Sequence, residues 1–262
     1  MDIITGLILG VLQGATEFLP ISSSGHLVLA EKILGNKASA NLMFEVFVHT
    51  GTMVSVLIYF RMKIWQMIKS IFPPYTSDKI PLLRLVGTIA IGTVPAVIIG
   101  FAFEHFIERA FNLTWFTSLM LLVTAVVLLS THFIKSGKSE ISFINGFLIG
   151  IAQSLALLPG ISRSGMTISA GLFLKVTPTQ AAEFSFLLSL PAVLGATFLK
   201  TVELSSAPPS GNIFSIYLVS AICAFIIGYL AIAWLMRIVK TGKLFYFGIY
   251  CLAIGVAGLL FL

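Results

Sequence analysis

The sequence predicts an all-α, polytopic membrane protein built from an internal repeat of inverted topology. Of its 262 residues, 58% are apolar and only 10% are charged, whereas about a quarter of the residues in a soluble domain are charged. Several apolar runs approach or exceed the ~20 residues that a membrane-spanning helix needs. Residues 146–170 repeat the pattern of residues 6–30 without gaps. We therefore expect one integral membrane domain over 1–262, made of repeats of about 1–138 and 139–262.

Six membrane-spanning helices are predicted from the apolar runs, over residues 43–60, 85–103, 115–134, 179–199, 213–236 and 244–262. The connections that carry lysine and arginine are 61–84, 135–138 and 237–243. The connections 104–114 and 200–212 are nearly neutral. Because basic connections stay on the cytoplasmic side, this alternation places the first set in the cytoplasm. The net charge of +6 therefore indicates orientation in a membrane, and nucleic acid is not a predicted partner.

Each copy of the repeat is an apolar run interrupted by a turn rich in serine and glycine. The first turn contains Pro20 and Ser22–Gly25, and the second contains Pro159 and Ser162–Gly165. Runs broken in this way do not form clean spans, so we predict a re-entrant helix–turn–helix hairpin in each copy. Three full spans per half are an odd number, which inverts the second half relative to the first. The two hairpins are then expected to enter from opposite faces and to meet near the middle of the membrane.

The two copies carry different polar groups at matching positions, and these differences indicate a composite site. The first copy has Glu17, Ser23 and His26 where the second has leucine, Arg163 and methionine. Arginine presents a planar, permanently charged fork that suits phosphate. The serines lie where a helix would restart, and a helix start exposes backbone N–H groups to an anion. The residues predicted to bind a phosphate or diphosphate are Arg163, Ser22, Ser24, Ser162, Ser164 and Thr167.

The first copy also carries groups that binding alone would not require. If a helix starts near Ser22, His26 lies one turn later on the same face as Ser23 and would be its proton-transfer partner. Glu17 could deprotonate the nucleophile, orient His26 or bind a divalent cation, and Gln13 could share that cation. Ser23 is the predicted nucleophile, with His26 and metal-bound water as the alternatives.

Several polar residues have more than one interpretation. Arg163 could form only a salt bridge with Glu17 that locks the hairpins together. Glu45 and Glu183 open the spans that follow the two motifs. Both carboxylates could support the site or lie at the membrane interface, and the same choice stays open for His49.

Two motifs together make the chain resemble a known family. Gln13-xxx-Glu17 is followed by FLPISSSGHL at 18–27, and PGISRSGMT stands at 159–167. This combination closely resembles the bacitracin-resistance family of undecaprenyl-diphosphate phosphatases, over essentially the whole chain. The resemblance implies an enzyme of the bacterial plasma membrane that removes the terminal phosphate of a polyprenyl diphosphate among membrane lipids. It also implies Mg²⁺ or Ca²⁺ as cofactor and an active site that opens to the outer side.

The resemblance also assigns residues. By motif, it places catalysis on Glu17, Ser23, His26 and Arg163, and it makes Glu17 and Gln13 the candidate metal ligands. The first motif position can be Glu or Gln in that family. Gln13 therefore leaves one carboxylate fewer for a cation.

Two other classes share part of the pattern. Type-2 phosphatidic acid phosphatases also use Ser-Gly-His and Ser-Arg signatures, but they need a second histidine after the Ser-Arg pair, and none follows Arg163. Inverted repeats with broken helices are also typical of transporters, which would move a lipid phosphate or a small anion. The presence of Ser23 and His26 beside a carboxylate in one copy only favours an enzyme. A monomer and a homodimer are both compatible with the sequence.

Overall fold

The computed structural model describes residues 2–34, 42–135, 137–204 and 211–262 of the chain. Over these residues the protein consists of helices joined by short turns. The α-helices of the described chain are α1 (Ile3–Phe18), α2 (Ser23–Leu34), α3 (Leu42–Tyr59), α4 (Arg61–Ile71), α5 (Lys79–Ala102), α6 (Glu104–Phe111), α7 (Thr114–Ser130), α8 (Phe143–Leu155), α9 (Arg163–Phe173), α10 (Pro178–Leu204), α11 (Gly211–Lys240) and α12 (Phe245–Phe261).

All six predicted spans coincide with helices, namely α3, α5, α7, α10, α11 and α12. Four of them, α5, α7 with the turn after it, α10 and α11, are long and apolar enough to cross a membrane. The helix α3 bends by 77° into α4, which carries three basic residues, and α12 is a shorter apolar helix of 17 residues. The prediction of an all-α, polytopic membrane protein is confirmed. Residues 205–210 of the predicted neutral connection lie outside the described residues.

The two broken segments form hairpins whose first arms are too short to cross a bilayer. The arm α1 has 16 residues and α8 has 13, which correspond to about 24 and 20 Å, against ~30 Å of hydrocarbon. The second hairpin returns to the point where it started, because the Ser139 N–H donates to the Lys175 carbonyl over 3.0 Å and the Thr177 N–H donates to the Ser139 carbonyl over 3.3 Å. The hairpin α8–α9 is therefore re-entrant, as the sequence predicts.

Matching spans of the two halves run in opposite directions. Near the start of α3, Glu45 pairs with Lys200 near the end of α10, with 3.4 Å between Oε2 and Nζ. Just beyond the end of α3, Lys63 pairs with Glu183 near the start of α10. Because α3 and α10 are the spans that follow the two hairpins, their antiparallel arrangement agrees with the predicted inversion. These contacts also place Glu45 and Glu183 in ion pairs between the halves.

The halves interlock through small residues, since the first arm of each hairpin packs along a span of the other half. A Cβ atom added to Gly10 of α1 would lie 2.6 Å from the carbonyl oxygen of Ser220 on α11. In the second half, a Cβ atom on Gly150 of α8 would overlap the carbonyl oxygen of Gly92 on α5. Small residues allow helix backbones in a membrane to approach this closely. Each hairpin is therefore held in place by the opposite half.

Side-chain caps start the first arm of each hairpin at matching positions. The Asp2 carboxylate accepts a hydrogen bond of 2.7 Å from the Thr5 backbone N–H, and Ser142 accepts one of 3.2 Å from Asn145. The bond from Thr5 holds the pKa of the Asp2 carboxyl below its usual value, because it stabilises the charged form. At the other end of α1, Phe18 is buried and meets Phe186 of α10 edge to face. This packing fixes the end of α1, where Glu17 lies.

Candidate active site

The turns of the two hairpins touch each other. A Cβ atom added to Gly25 would lie 3.1 Å from the Cα of Gly160, and one added to Gly165 would lie 3.4 Å from the Cβ of Pro20. The hydroxyl of Ser164 in the second hairpin donates a hydrogen bond of 3.1 Å to the Leu19 carbonyl in the first. The predicted meeting of the hairpins is therefore present in the structure.

Glu17 lies at the centre of the polar groups at this meeting point. Its Oε2 atom accepts hydrogen bonds from the Ser23 hydroxyl over 2.5 Å and from the Gln13 amide over 2.8 Å. Its Oε1 atom accepts a hydrogen bond of 2.7 Å from Nη2 of Arg163. The Glu17 side chain is only 7% exposed and that of Arg163 is 17% exposed. Four predicted site residues, drawn from both repeats, thus share one buried cluster.

Two buried atoms beside this carboxylate have no hydrogen-bond partner in the described part of the chain. They are Nη1 of Arg163, a donor, and Oε1 of Gln13, an acceptor. Buried polar groups in native proteins are nearly always paired, so an unpaired one calls for an explanation. A ligand that carries oxygen atoms would satisfy the arginine, and a cation would satisfy the amide oxygen.

The serines predicted to bind substrate shape the starts of α2 and α9. Ser22 accepts a hydrogen bond of 3.2 Å from the Gly25 N–H, and Ser162 accepts one of 3.1 Å from the Gly165 N–H. Each is also bonded to the serine two positions later, over 3.3 Å for Ser22 and 3.4 Å for Ser162. These caps set two helix N-termini at the meeting point of the hairpins, and a helix N-terminus favours anions. Direct contact of these serines with a substrate stays a prediction.

Thr167 lies one turn into α9, behind Arg163. Its hydroxyl bonds to the Arg163 carbonyl over 2.8 Å and to the Ser185 hydroxyl of α10 over 2.6 Å. In this structure Thr167 therefore joins the backbone of the arginine to a neighbouring span. Its predicted contact with substrate also stays a prediction.

His26 has different neighbours from those expected. Its Nδ1 atom lies 2.8 Å from the Ser22 carbonyl, and its Nε2 atom lies 2.8 Å from the Tyr250 hydroxyl. The expected pairing of Ser23 with His26 is corrected by this geometry, because the imidazole turns toward α12 while the Ser23 hydroxyl points to Glu17. Among the described residues, Glu17 is therefore the group that can accept the Ser23 proton directly. A catalytic role for His26 itself stays a prediction.

Two residues complete the surroundings of the site. His49, which the sequence left open, places Nδ1 3.1 Å from Nε2 of Gln13 and 3.8 Å from Oε2 of Glu17. Tyr250 was not singled out by sequence, although a hydroxyl in an apolar membrane helix needs a partner. That requirement is the only sequence signal that could have pointed to it, and it does not name the partner.

A divalent cation is compatible with the oxygen atoms present here. Mg²⁺ prefers oxygen ligands and is often held by one or two carboxylates together with substrate phosphates. Glu17 supplies a single carboxylate, and Gln13 supplies the unpaired Oε1 atom. Within the described ranges no three His, Cys, Asp or Glu side chains form a metal cluster. These residues therefore fit a cation that shares its ligands with a bound phosphate.

Comparison with known proteins agrees with the motifs. A family described as "Bacitracin resistance protein BacA" matches residues 6–257, which include the turns of both hairpins. The chain belongs to this family. Within it, the chain is 39% identical to an undecaprenyl-diphosphatase of Christiangramia forsetii, over 100% of this chain and 98% of the relative.

Other relatives carry the same description. Proteins named undecaprenyl-diphosphatase from Syntrophotalea carbinolica and Bacteroides thetaiotaomicron are 40% and 38% identical, over 97% and 98% of both chains respectively. The resemblance to the bacitracin-resistance family that the two motifs indicated is confirmed. Because the match covers nearly the full length of both chains, membership in the family of the bacitracin resistance protein BacA applies to the whole membrane domain.

Proposed function

We propose that this protein is an undecaprenyl-diphosphate phosphatase, which hydrolyses undecaprenyl diphosphate to undecaprenyl phosphate and inorganic phosphate. This reaction would recycle the lipid carrier for cell-wall synthesis and confer resistance to bacitracin. One observation carries the proposal: the Ser23 hydroxyl donates a hydrogen bond to Glu17, beside a buried nitrogen of Arg163 that has no partner among the described residues. The names of the full-length relatives support the substrate.

The first half of the proposed reaction transfers the terminal phosphoryl group to Ser23. The Ser23 hydroxyl loses its proton to Glu17, and its oxygen forms a bond to the terminal phosphorus. The bond between that phosphorus and the bridging oxygen breaks, and the lipid monophosphate leaves with the electron pair. Arg163 is bonded to Glu17 through Nη2, which leaves Nη1 for a phosphoryl oxygen. Positioning and charge stabilisation of this kind provide most of the catalysis of phosphoryl transfer.

The second half regenerates the serine. Protonated Glu17 first loses its proton to the departing lipid phosphate or to water. The carboxylate then takes a proton from a water molecule that attacks phosphoserine, the bond between phosphorus and the Ser23 oxygen breaks, and the proton returns to that oxygen. Inorganic phosphate leaves. The Glu17 carboxylate thus takes part in both steps of the reaction. This double use is consistent with its buried position and its hydrogen bond to Ser23.

Gln13 and Glu17 would hold the divalent cation, with the remaining ligands coming from the diphosphate. A bound Mg²⁺ or Ca²⁺ would supply positive charge that stabilises the phosphate oxygens. The residues of the chain keep their roles without it: Glu17 accepts the proton, and Arg163 and the two helix N-termini orient the phosphate. The apolar surfaces of the spans would accommodate the isoprenoid tail in the bilayer.

We also propose that the site opens to the outer side of the membrane. Glu17 and His26 belong to the first hairpin, and the positive-inside rule places the entry of that hairpin outside. The basic residues Lys63 and Lys69 lie on α4, beyond the far end of α3. This orientation supports access from the outer face, where the diphosphate would be dephosphorylated.

Phosphate release by the purified protein tests the proposed activity. Protein in detergent is supplied with a polyprenyl diphosphate and either Mg²⁺ or Ca²⁺. We expect release that is lost in Glu17→Gln and in Arg163→Ala and kept in the matched variants Glu108→Gln and Arg109→Ala, whose residues lie on the exposed helix α6. Binding of the lipid without phosphate release under either cation would overturn the phosphatase and favour the transporter.

A further inference from the structure

We propose that Tyr250 is a positioning residue for the reaction, which acts through His26 and the Ser22 carbonyl to present Ser23 to Glu17. This inference rests on the proposed function, because it assigns a role in the same site. It adds a residue of the last helix, 224 positions from His26 in the chain, to a centre formed by the two hairpins.

The hydrogen-bond pattern of His26 defines which atoms donate. The Ser22 carbonyl can only accept, so Nδ1 of His26 must carry the proton across the 2.8 Å between them. A neutral imidazole with a proton on Nδ1 has its acceptor at Nε2. The Tyr250 hydroxyl, 2.8 Å away, therefore donates to Nε2. The tyrosine selects one tautomer of the histidine, and that tautomer is the one that can bond to Ser22.

Ser22 is the part of the turn that needs this support. Its φ angle is 69°, in the left-handed region, where a residue other than glycine carries a strain of about 1–2 kcal/mol. The Ser22 carbonyl accepts two hydrogen bonds from His26, one from Nδ1 and one of 3.1 Å from the backbone N–H. Since Ser22 directly precedes Ser23, the orientation of its peptide group sets the direction in which the Ser23 hydroxyl points.

The ring of Tyr250 adds to this restraint. It lies parallel to the imidazole of His26, with 5.5 Å between ring centroids and 4° between ring planes. The imidazole is buried, whereas Tyr250 is 42% exposed. The hydroxyl and the ring face of Tyr250 thus restrain the imidazole of His26. Among the described contacts, Tyr250 has no direct hydrogen bond to Ser23 or Glu17.

The rest of α12 is a fixed support for Tyr250. The neighbouring thiol of Cys251 donates a hydrogen bond of 3.7 Å to the Pro20 carbonyl in the first hairpin turn. Farther along α12, a Cβ atom added to Gly255 would lie 2.7 Å from Leu122 on α7. Two adjacent residues of α12 therefore contact the first hairpin, Cys251 at the turn and Tyr250 at His26 on α2. The helix that carries them packs closely against α7. The contact of Cys251 supports a positioning role for this part of α12.

The test is the variant Tyr250→Phe, which removes the hydroxyl and keeps the ring. We expect kcat to fall on the order of tenfold, because a buried acceptor loses its partner. We expect KM to stay within about twofold, because the arginine and the helix N-termini that orient phosphate are unchanged. The matched control is Tyr246→Phe, one turn earlier on α12, where the ring stacks on Phe245 and is 56% exposed.

A spectroscopic measurement separates positioning from general damage to the fold. In protein labelled with ¹⁵N-histidine, the imidazole nitrogens of the four histidines report their tautomers. We expect His26 to show a proton on Nδ1 in the wild type and in Tyr246→Phe, and to lose this single tautomer in Tyr250→Phe. An unchanged kcat together with an unchanged His26 signal in Tyr250→Phe would overturn the proposal. A rise in KM alone would also overturn it, because Tyr250 would then bind substrate.

A double-mutant cycle tests the proposal even if Tyr250→Phe lowers the stability of the protein. If Tyr250 acts through His26, Tyr250→Phe has no further effect on kcat once His26→Gln is present. Additive losses in the double variant would contradict the inference. Failure of the proposed function can be distinguished from failure of this inference. A wild-type protein that releases no phosphate refutes the proposed phosphatase activity. In that case the ¹⁵N signals still show whether Tyr250 sets the His26 tautomer.

Discussion

Arg163 of the second repeat donates a hydrogen bond of 2.7 Å to Glu17 of the first. The carboxylate that receives it is buried and also accepts a hydrogen bond from the Ser23 hydroxyl. The site is therefore a property of the two halves together. The first hairpin supplies Ser23 and Glu17 to this cluster, and the second supplies Arg163.

Ser23→Ala is expected to lower kcat on the order of 10⁴-fold or more, because the proposed nucleophile is lost and the groups around it act as a unit. With a terminally ³²P-labelled polyprenyl diphosphate, the wild type quenched in acid should carry label on Ser23. Ser215→Ala, which changes an exposed serine on α11, should keep both activity and label. Full activity of Ser23→Ala would move the nucleophile to His26 or to water.

Breaking the buried ion pair should destabilise the fold as well as stop catalysis. Arg163→Ala leaves Glu17 as an uncompensated charge, and loss of one partner from a buried pair costs about 3–5 kcal/mol. Adding Glu17→Gln should recover part of the melting temperature in detergent without recovering activity. Equal melting temperatures for the wild type and Arg163→Ala would show that water satisfies the carboxylate.

The interlocking of the halves should depend on small residues. Gly150→Ala is expected to lower the melting temperature, because the new Cβ atom would overlap the Gly92 backbone of α5. Gly195→Ala on α10 is the control, since a Cβ atom there meets nothing within 4 Å. We expect that control to be neutral or stabilising by up to about 1 kcal/mol. A Gly150→Ala variant as stable as the wild type would contradict the close approach.

The two ion pairs that α10 forms, one with α3 and one with α4, should be accessible from opposite sides of the membrane. In a background with Cys223→Ala and Cys251→Ala, an impermeant thiol reagent added to intact cells should modify Glu45→Cys. The same reagent should modify Lys63→Cys only after the membrane is permeabilised. Both side chains are partly exposed in the wild type, 28% for Glu45 and 36% for Lys63. The reverse labelling pattern would reverse the orientation and place the site on the cytoplasmic side.

Gln13→Glu should strengthen the response to divalent cations. A second carboxylate beside Glu17 adds a charged oxygen ligand of the kind that Mg²⁺ and Ca²⁺ prefer. The cation concentration that gives half-maximal activity should therefore fall, and it is measured by titrating metal into protein that was first treated with chelator. A half-maximal concentration unchanged from the wild type would place the cation on the substrate alone.

The hairpins and their key residues could be predicted because they depend on local pattern. Charge content and loop bias indicate the medium and orientation, and the interrupted runs indicate helices that stop and restart. Glu17 and Arg163 stand out because charges are rare in membrane segments. From sequence, Arg163 could bind phosphate or form a salt bridge with Glu17. Only the folded chain shows that the salt bridge forms.

The partner of Ser23 could not be predicted in the same way. Helical spacing places His26 on the same face, but the direction of a side chain depends on what packs around it. The imidazole is hydrogen-bonded to the Tyr250 hydroxyl and the Ser22 carbonyl and not to the Ser23 hydroxyl. The pairings of Glu45 with Lys200 and of Lys63 with Glu183 were likewise hidden, because each joins helices from different halves.

The sequence by itself determined the membrane as the medium, the duplicated scaffold, its inversion and the set of polar residues at the two turns. These features follow from composition and periodicity, which act over one helix at a time. The tertiary structure alone decided that Glu17 accepts a hydrogen bond from Ser23 and that Tyr250 is hydrogen-bonded to His26. It also decided that, within the described ranges, one buried nitrogen of Arg163 has no partner. Those relationships join residues more than a hundred positions apart or depend on a left-handed turn, and only the packing of the complete chain determines them.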